Sequence, residues 1–428
     1  MSQTNKWNPV IFTIVLSMII GCNSHPADKT ELARKINSDP YIPFVKSRAI
    51  DIVTTGFNAG DSYGEVWIRD YNTFIELACD VHELTDVREN LLIFFRMQSK
   101  GGGIIDGFIP KENQTGGYDY TFSELEPRFA GHKNTVETDQ ETSLIQAVYK
   151  YVKKTGDSGL LEEQVDSFTV AERMLMAIDF LKEQRYSKEY GLIWGATTAD
   201  WGDVQPEHEW GVYLTDDSHY AIDIYDNAML LIALENLAEL LPHRQNELME
   251  WHDEIAENVM QHLWDKEHQK FIPHLYLEDS PFPEDFDENK IYQHGGTAVA
   301  IEAGLLSRQQ VKQALDTMVA NMEAAGAASI GLTLYPVYPK GFFLNPGMSP
   351  YSYQNGGDWT WFGGRMIQQL IKYGYVREAY EQIRPMLKRV KDNNGFYEWY
   401  TINNVPQGSG TFRGSAGVLY KAVELFEE

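Results

Sequence analysis

Trp361-Phe362-Gly363-Gly364-Arg365-Met366-Ile367-Gln368-Gln369-Leu370-Ile371-Lys372-Tyr373 is followed, after Gly374-Tyr375, by a second run from Val376 to Val390. In both runs apolar side chains recur every three or four positions, the spacing that lines one face of a helix. The pair reads as a helical hairpin. The same spacing predicts ten more helices, over 44–53, 71–82, 87–98, 138–154, 169–184, 220–240, 244–264, 297–306, 308–324 and 415–426. Strand-like alternation is confined to short pieces around 271–277 and 332–337. No exact repeat and no shift in composition marks a second domain. Twelve helices in six hairpins predict an all-α fold, an (α/α)6 barrel of six helical hairpins with the long loops at one end. An open helical solenoid shares this periodicity. The long loops at Gly101-Gly102-Gly103, 342–353 and 393–413 favour the barrel, because loops of that length in compact domains are usually functional.

With 428 residues, 43% of them hydrophobic, the chain can bury a large core. Its 36 basic against 62 acidic side chains give a formal charge of −26, which repels nucleic-acid phosphates and anionic membrane surfaces alike. Ten Trp, 24 Tyr and 20 Phe beside 34 Gly describe a globular protein rather than a disordered or fibrous one.

The N-terminus reads as an address. Met1 to Pro9 carries one lysine, Lys6, and Val10 to Ile20 is a mostly apolar run too short to span a bilayer comfortably. It ends in Ile19-Ile20-Gly21-Cys22, which resembles a bacterial lipobox and implies cleavage before Cys22 and lipidation of its sulfur. A plain secretion signal with a spare cysteine is the alternative. The expected organisation is a signal peptide over 1–21, a lipidated tether over 22–30 and one catalytic domain over 31–428. The protein would then lie outside the cytoplasm, touching a bacterial membrane only through its lipid. Cys79, in Leu77-Ala78-Cys79, reads as a buried, inert thiol.

Five loop segments carry the candidate chemistry. Gly64-Glu65-Val66-Trp67-Ile68-Arg69-Asp70 places a donor fork beside an acceptor pair at a helix start, which suits the vicinal hydroxyls of a sugar; simple capping by Asp70 is the competing reading. Trp194-Gly195-Ala196-Thr197-Thr198-Ala199-Asp200-Trp201-Gly202-Asp203, with Glu207, His208, Glu209 and Trp210 beyond it, sets carboxylates among indoles. A carboxylic acid packed against indole is desolvated and keeps its proton, as a general acid requires. Asn355-Gly356-Gly357-Asp358-Trp359-Thr360-Trp361-Phe362-Gly363-Gly364-Arg365 combines glycines that permit close backbone approach with tryptophans able to wall a pocket. Asn394-Gly395-Phe396-Tyr397-Glu398-Trp399-Tyr400 holds one carboxylate among aromatics, which is functional or ion-paired. Val136-Glu137-Thr138-Asp139 opens a helix and reads as capping or as part of the site.

His208, His219 and His294 lack metal-ligand spacing and read as loop or core histidines. The run Glu284-Asp285-Phe286-Asp287-Glu288 lacks the alternating pattern of a calcium loop and reads as a solvated acidic loop. The sequence holds no phosphate-cradling loop and no Gly-x-Ser-x-Gly elbow. No metal and no cofactor is expected.

Trp67-Ile68-Arg69-Asp70 resembles the Trp-x-Arg-Asp segment of glucoamylases and bacterial glycogen-debranching enzymes. Asp200-Trp201-Gly202-Asp203 is similar to the acid-bearing loop of debranching enzymes and cellobiose phosphorylases, and Asn355-Gly356-Gly357 with Trp359 and Trp361 to a late element of the same group. Glu398 and its Gly-rich return resemble the base-bearing segment of trehalases and processing α-glucosidases. In this order the motifs resemble the six-hairpin (α/α)6 glycosidase superfamily over nearly the whole mature chain. The resemblance implies an inverting glycoside hydrolase cleaving an α-glucosidic bond in an oligosaccharide or small glycoside, and the loop lengths suggest an enclosed pocket and hence exo action. It implies Asp203 as general acid, with Asp200 as the alternative, and Glu398 as base. Trp67, Arg69, Asp70, Asp139, Trp194, Trp201, Trp359, Trp361 and Arg365 would bind the sugar. A glycoside phosphorylase on the same barrel and a non-catalytic glycan-binding lipoprotein are the rival readings.

Overall fold

The structure, a computed structural model, describes residues 26–115 and 119–428. The expected signal segment 1–21 and the lipidation site Cys22 lie outside the described residues. The chain divides into two compact units, one ending at Asp39 and the other running from Pro40 to Glu428. The first contains α1 (Pro26–Asn37), rich in helix formers, so residues 26–30 of the expected tether are helical. The second unit begins at Pro40, where the sequence reading began the domain at residue 31.

All twelve expected helices are present in the second unit. They are α2 (Tyr41–Val53), α3 (Ile68–Val81), α4 (Leu84–Met97), α5 (Gln140–Thr155), α7 (Val170–Gln184), α8 (Ile224–Leu240), α9 (Gln245–His262), α10 (His294–Glu302), α11 (Arg308–Ala325), α12 (Thr360–Lys372), α13 (Val376–Asn393) and α14 (Arg413–Glu427), with a short α6 (Gly159–Glu162) between α5 and α7. Local chemistry sets several ends. At α7 the Thr169 hydroxyl accepts the Glu172 N–H at 3.2 Å while the Glu172 carboxylate accepts the Thr169 N–H at 2.7 Å, a reciprocal cap that Ser307 and Gln310 repeat at α11. Gly156 and Gly326, in the left-handed region, stop α5 and α11.

Packing sorts the helices into two layers. The set α3, α5, α8, α10, α12, α14 forms a ring in which each helix packs on the next and α14 returns to α3. The others lie outside: α2 on α14, α4 and α7 on α5, α9 on α8, α11 on α10 and α13 on α12. The side chains record the difference. Inner α8 buries nearly every residue from Ile224 to Leu234, whereas outer α9 buries only the stripe Leu248, Trp251, Ile255, Val259. The barrel is closed, and the solenoid alternative falls.

The expected strand pieces are present as short pairs, including Lys270–Phe271 and Leu334–Tyr335. A four-stranded antiparallel sheet was not anticipated. It comprises β1 (Val66–Trp67), β2 (Gly107–Pro110), β3 (Tyr120–Ser123) and β4 (Glu126–His132) in the order β1-β2-β4-β3. It pairs Trp67 with Gly107 and Gly107 with His132, and so brings three separated segments to the start of α3.

Ring closure depends on a close approach of α14 to α3. A Cβ on Gly417 would stand 2.5 Å from the Cα of Phe74. Gly417→Ala should therefore lower stability by about 1–3 kcal/mol, read as a lower urea midpoint with unchanged slope. An unchanged midpoint would contradict this contact.

Candidate active site

The N-terminal ends of inner helices supply the site. Trp67, Arg69 and Asp70 open α3, Trp359 and Trp361 flank the start of α12, and Phe412 precedes α14. These side chains line one cavity of about 260 Å³ together with Tyr63, Asp106, His132, Trp201, Asp203, Tyr353, Gln354 and Glu398. The volume falls just below the roughly 300–1,000 Å³ usual for small-ligand pockets. The positive ends of the helix dipoles meet there, which favours negative charge.

One cation organises the floor. The Arg69 guanidinium ion-pairs with Glu137, reaches Asp106 at 3.1 Å and stands 3.7 Å from Asp203. Burial opposes its charge, but Asp106 and then Glu137 outweigh burial and hold it protonated. A single cation cannot neutralise every carboxyl around it. Burial pushes Asp106 up to about 7 and Glu137 well up, in each case against the pull of Arg69. Burial likewise raises Asp70 to about 8, opposed by Arg69 and reinforced by the charge of Glu398. His132 is driven down to about 4, first by burial and then by Arg69, so it is neutral in the working range.

The two carboxylates of interest reach this cavity from different loops. Asp203 accepts a hydrogen bond from Gln354 Nε2 at 2.8 Å on Oδ1, while its Oδ2 faces Arg69. Glu398 Oε1 accepts from the Tyr63 hydroxyl at 2.9 Å, and Oε2 from the Ser409 N–H at 3.3 Å. Burial raises the Glu398 carboxyl, these two donors oppose that, and the charge of Asp203 adds to it. The seat of Glu398 requires glycine at 408. There φ is +69°, and a Cβ would lie 2.3 Å from Glu398 Oε2.

Aromatic rings form the wall. Trp201 stacks on Phe362 at 4.4 Å and meets Trp359 and Trp361 edge-on at 4.8 and 5.5 Å, with Phe412 beyond Trp361. The indole N–H groups of Trp201 and Trp361 are buried and have no acceptor within the protein. That of Trp201 faces Gly295 at the start of α10 rather than the cavity.

Four expected site residues lie elsewhere. Asp200 is buried with a left-handed backbone, and its two oxygens accept the N–H groups of Gly295 and Gly296 at 2.6 and 2.7 Å. It caps the first turn of α10 and does not line the cavity. Asp139 is buried at the start of α5, where the Tyr225 hydroxyl donates to it at 2.8 Å. Trp194 packs against Tyr220 and under Arg185. Arg365 sits inside the barrel, paired with Glu302 at 3.0 Å and beside the Met229 sulfur. In each case a tertiary partner fixes a role that local sequence could not show.

Tyr63, Asp106, His132, Tyr353, Gln354 and Phe412 line the cavity without having been anticipated. Tyr63 directly precedes the first motif and Gln354 the third, which is the only signal the sequence carried for either. No cluster of three or more metal-ligating side chains occurs among the described residues. His219 pairs with Glu207 at 2.6 Å, and burial holds Cys79 up at about 12, an unreactive thiol. Glu288 departs from the expected solvated loop: it is half-buried and accepts from Tyr338 at 2.7 Å and Tyr276 at 2.8 Å.

Residues 124–420 match the sequence profile of a family described as amylo-alpha-1,6-glucosidase. No curated protein sequence matches the chain. Among solved structures, it resembles the GH63 mannosylglycerate hydrolase from Thermus thermophilus, in complex with Tris and D-glycerate, at 16% identity with a TM-score of 0.62, over 88% of this chain and 99% of that one. The same hydrolase in complex with glucose aligns at 15% identity and a TM-score of 0.63, over 90% and 99%. A rhamnosidase from Klebsiella oxytoca with rhamnose bound aligns at 14% identity and a TM-score of 0.57, over 90% of this chain and 63% of that one. At these identities the likeness is one of fold.

The state of Asp70 has a measurable consequence. Its carboxyl titrates at about 8 in the folded protein against 3.8 for the free group, so folding binds a proton across that interval. Stability then falls as pH rises from about 4 to 8. Asp70→Asn removes this penalty, and its melting temperature relative to wild type should climb over the same window. A pH-independent difference would contradict the burial of an uncompensated carboxyl.

Proposed function

Since the chain belongs to the amylo-alpha-1,6-glucosidase family, and is a glycoside hydrolase on that ground, we propose that it cleaves a terminal α-glucosidic bond with inversion, using Asp203 as general acid and Glu398 as general base. The observation that carries this reading is the convergence of Asp203 and Glu398, from separate loops, on one cavity of about 260 Å³. The small volume favours a substrate entering by one sugar ring, hence exo action on chain ends or small glycosides. The α-glucosidic assignment rests on the family description and the sequence resemblance.

Asp203 gives its proton to the glycosidic oxygen as the bond from that oxygen to the anomeric carbon breaks. Glu398, ionised and steadied by Tyr63 and Ser409, takes a proton from water as the water oxygen attacks the anomeric carbon from the other face. The leaving alcohol departs protonated and the sugar carries the new hydroxyl. Solvent then returns a proton to Asp203 and removes one from Glu398. Inverting pairs stand roughly 6.5–9.5 Å apart to admit that water. Arg69 and Asp70, both in the cavity lining, supply a donor and an acceptor for sugar hydroxyls, and the tryptophan rings supply an apolar wall.

The same reading places the enzyme outside the cytoplasm, held to a membrane by lipid on Cys22. Cys22→Ser should release it from the membrane fraction, and its retention there would remove the anchor.

Turnover of purified mature protein on a panel of α- and β-linked disaccharides, with and without phosphate, tests the reaction. The expected result is phosphate-independent release of free sugar, reduced about 10²–10⁴-fold in both Asp203→Asn and Glu398→Gln. Phosphate-dependent turnover would make the enzyme a phosphorylase, and wild-type rates in either variant would remove that residue's role.

A further inference from the structure

A general acid needs an orientation as well as a place. Asp203 lies on an irregular loop with its side chain 22% exposed. Of its contacts, the one at ordinary hydrogen-bond distance is that from Gln354 Nε2 to Oδ1, at 2.8 Å.

The backbone of Gln354 is held firmly. Its carbonyl accepts the Thr333 hydroxyl at 2.8 Å, and that hydroxyl oxygen accepts the Gly356 N–H at 2.8 Å. The next residue, Asn355, is fully buried: its amide donates to the carbonyls of Tyr338 and Met348, both at 3.0 Å, and accepts the Tyr338 N–H at 2.9 Å. The Asn-Gly-Gly element therefore faces its own neighbours rather than a ligand. What it delivers to the cavity wall is one amide, that of Gln354. The residue before the acid is matched to it, since a Cβ on Gly202 would lie 2.5 Å from Gln354 Oε1.

We infer that Gln354 is the positioning residue of the general acid: by donating to Oδ1 it holds the carboxyl in the plane from which the proton is delivered to the leaving oxygen. The inference rests on the reading of Asp203 as the acid. Without the amide the carboxyl turns about its Cβ–Cγ bond, and the proton is presented to the leaving oxygen only part of the time. General acid catalysis falls steeply with such misplacement, because the proton must lie within hydrogen-bond reach in the transition state.

The test is leaving-group dependence. An alkyl glycoside needs a proton on its departing oxygen, whereas a dinitrophenyl glycoside of the same sugar departs as a stable anion. For full-length Gln354→Ala, kcat on the alkyl glycoside should fall about 10–100-fold, while the dinitrophenyl glycoside changes by no more than about threefold and KM hardly moves. Gly202→Ala should reproduce this pattern, and the double variant should be no worse than either single one, as coupled residues are non-additive. Gln354→Met keeps the volume and serves if the alanine variant is unstable. Equal losses on both leaving groups, a rise in KM at constant kcat, or additive effects would each overturn the positioning role. Asp203→Asn in the same assay separates this from the parent reading. Wild-type hydrolysis of the alkyl glycoside by that variant removes the acid itself. Its loss, with no leaving-group dependence in Gln354→Ala, removes only the inference.

Discussion

Arg69 is the charge around which the site is arranged. It joins the start of α3 to Asp106 beside β2, to Glu137 ahead of α5 and to the loop bearing Asp203. Removing charges from water costs several kcal/mol per ion, and the cost is recovered only where partners are close and well placed. Here the acids around the cation outnumber it. The balance is met partly by protons, with Asp70, Asp106 and Glu137 all pushed up by burial. The result is a cavity rich in carboxyl groups in which burial works against their charge. That is a suitable lining for a neutral, hydroxylated ligand, which can accept from the neutral carboxyls and donate to the ionised ones.

The barrel explains why such a cluster can exist. Six inner helices point their N-terminal ends toward one face, and each connection from an outer helix must cross that face to reach its partner. Chemistry-bearing residues therefore gather there from segments as distant as Tyr63 and Ser409, both of which hold Glu398. The chain from α2 to α14 is thus one cooperative frame for two carboxylates. The close approach of Gly417 to Phe74 ties its first inner helix to its last.

The helices were legible because the 3.6-residue period is a local property, and amphipathic outer helices such as α9 show it plainly. The four-stranded sheet was not legible: its strands are short, and Glu126–His132 alternates too weakly to stand out from a loop. The site was legible as motifs but not as roles. Asp200 and Asp203 share one loop and one aromatic setting, yet amides nearly a hundred residues downstream claim both oxygens of Asp200 and leave Asp203 at the cavity. Trp194 and Arg365 belong to motifs that reach the site, but their rings and charges are satisfied by Tyr220, Arg185 and Glu302 instead. Gln354 and Tyr63 act through another side chain, and no residue type announces that in sequence.

The central claim is that two carboxylates act on opposite faces of the anomeric carbon, through water and without a covalent intermediate. The measurement that reaches it most directly is the anomeric configuration of the first product, followed by NMR before mutarotation equilibrates it. The account predicts that an α-linked substrate releases the β-anomer. Release of the α-anomer would mean a retained configuration and a carboxylate acting as nucleophile, and would contradict the assignment of Glu398 as a base.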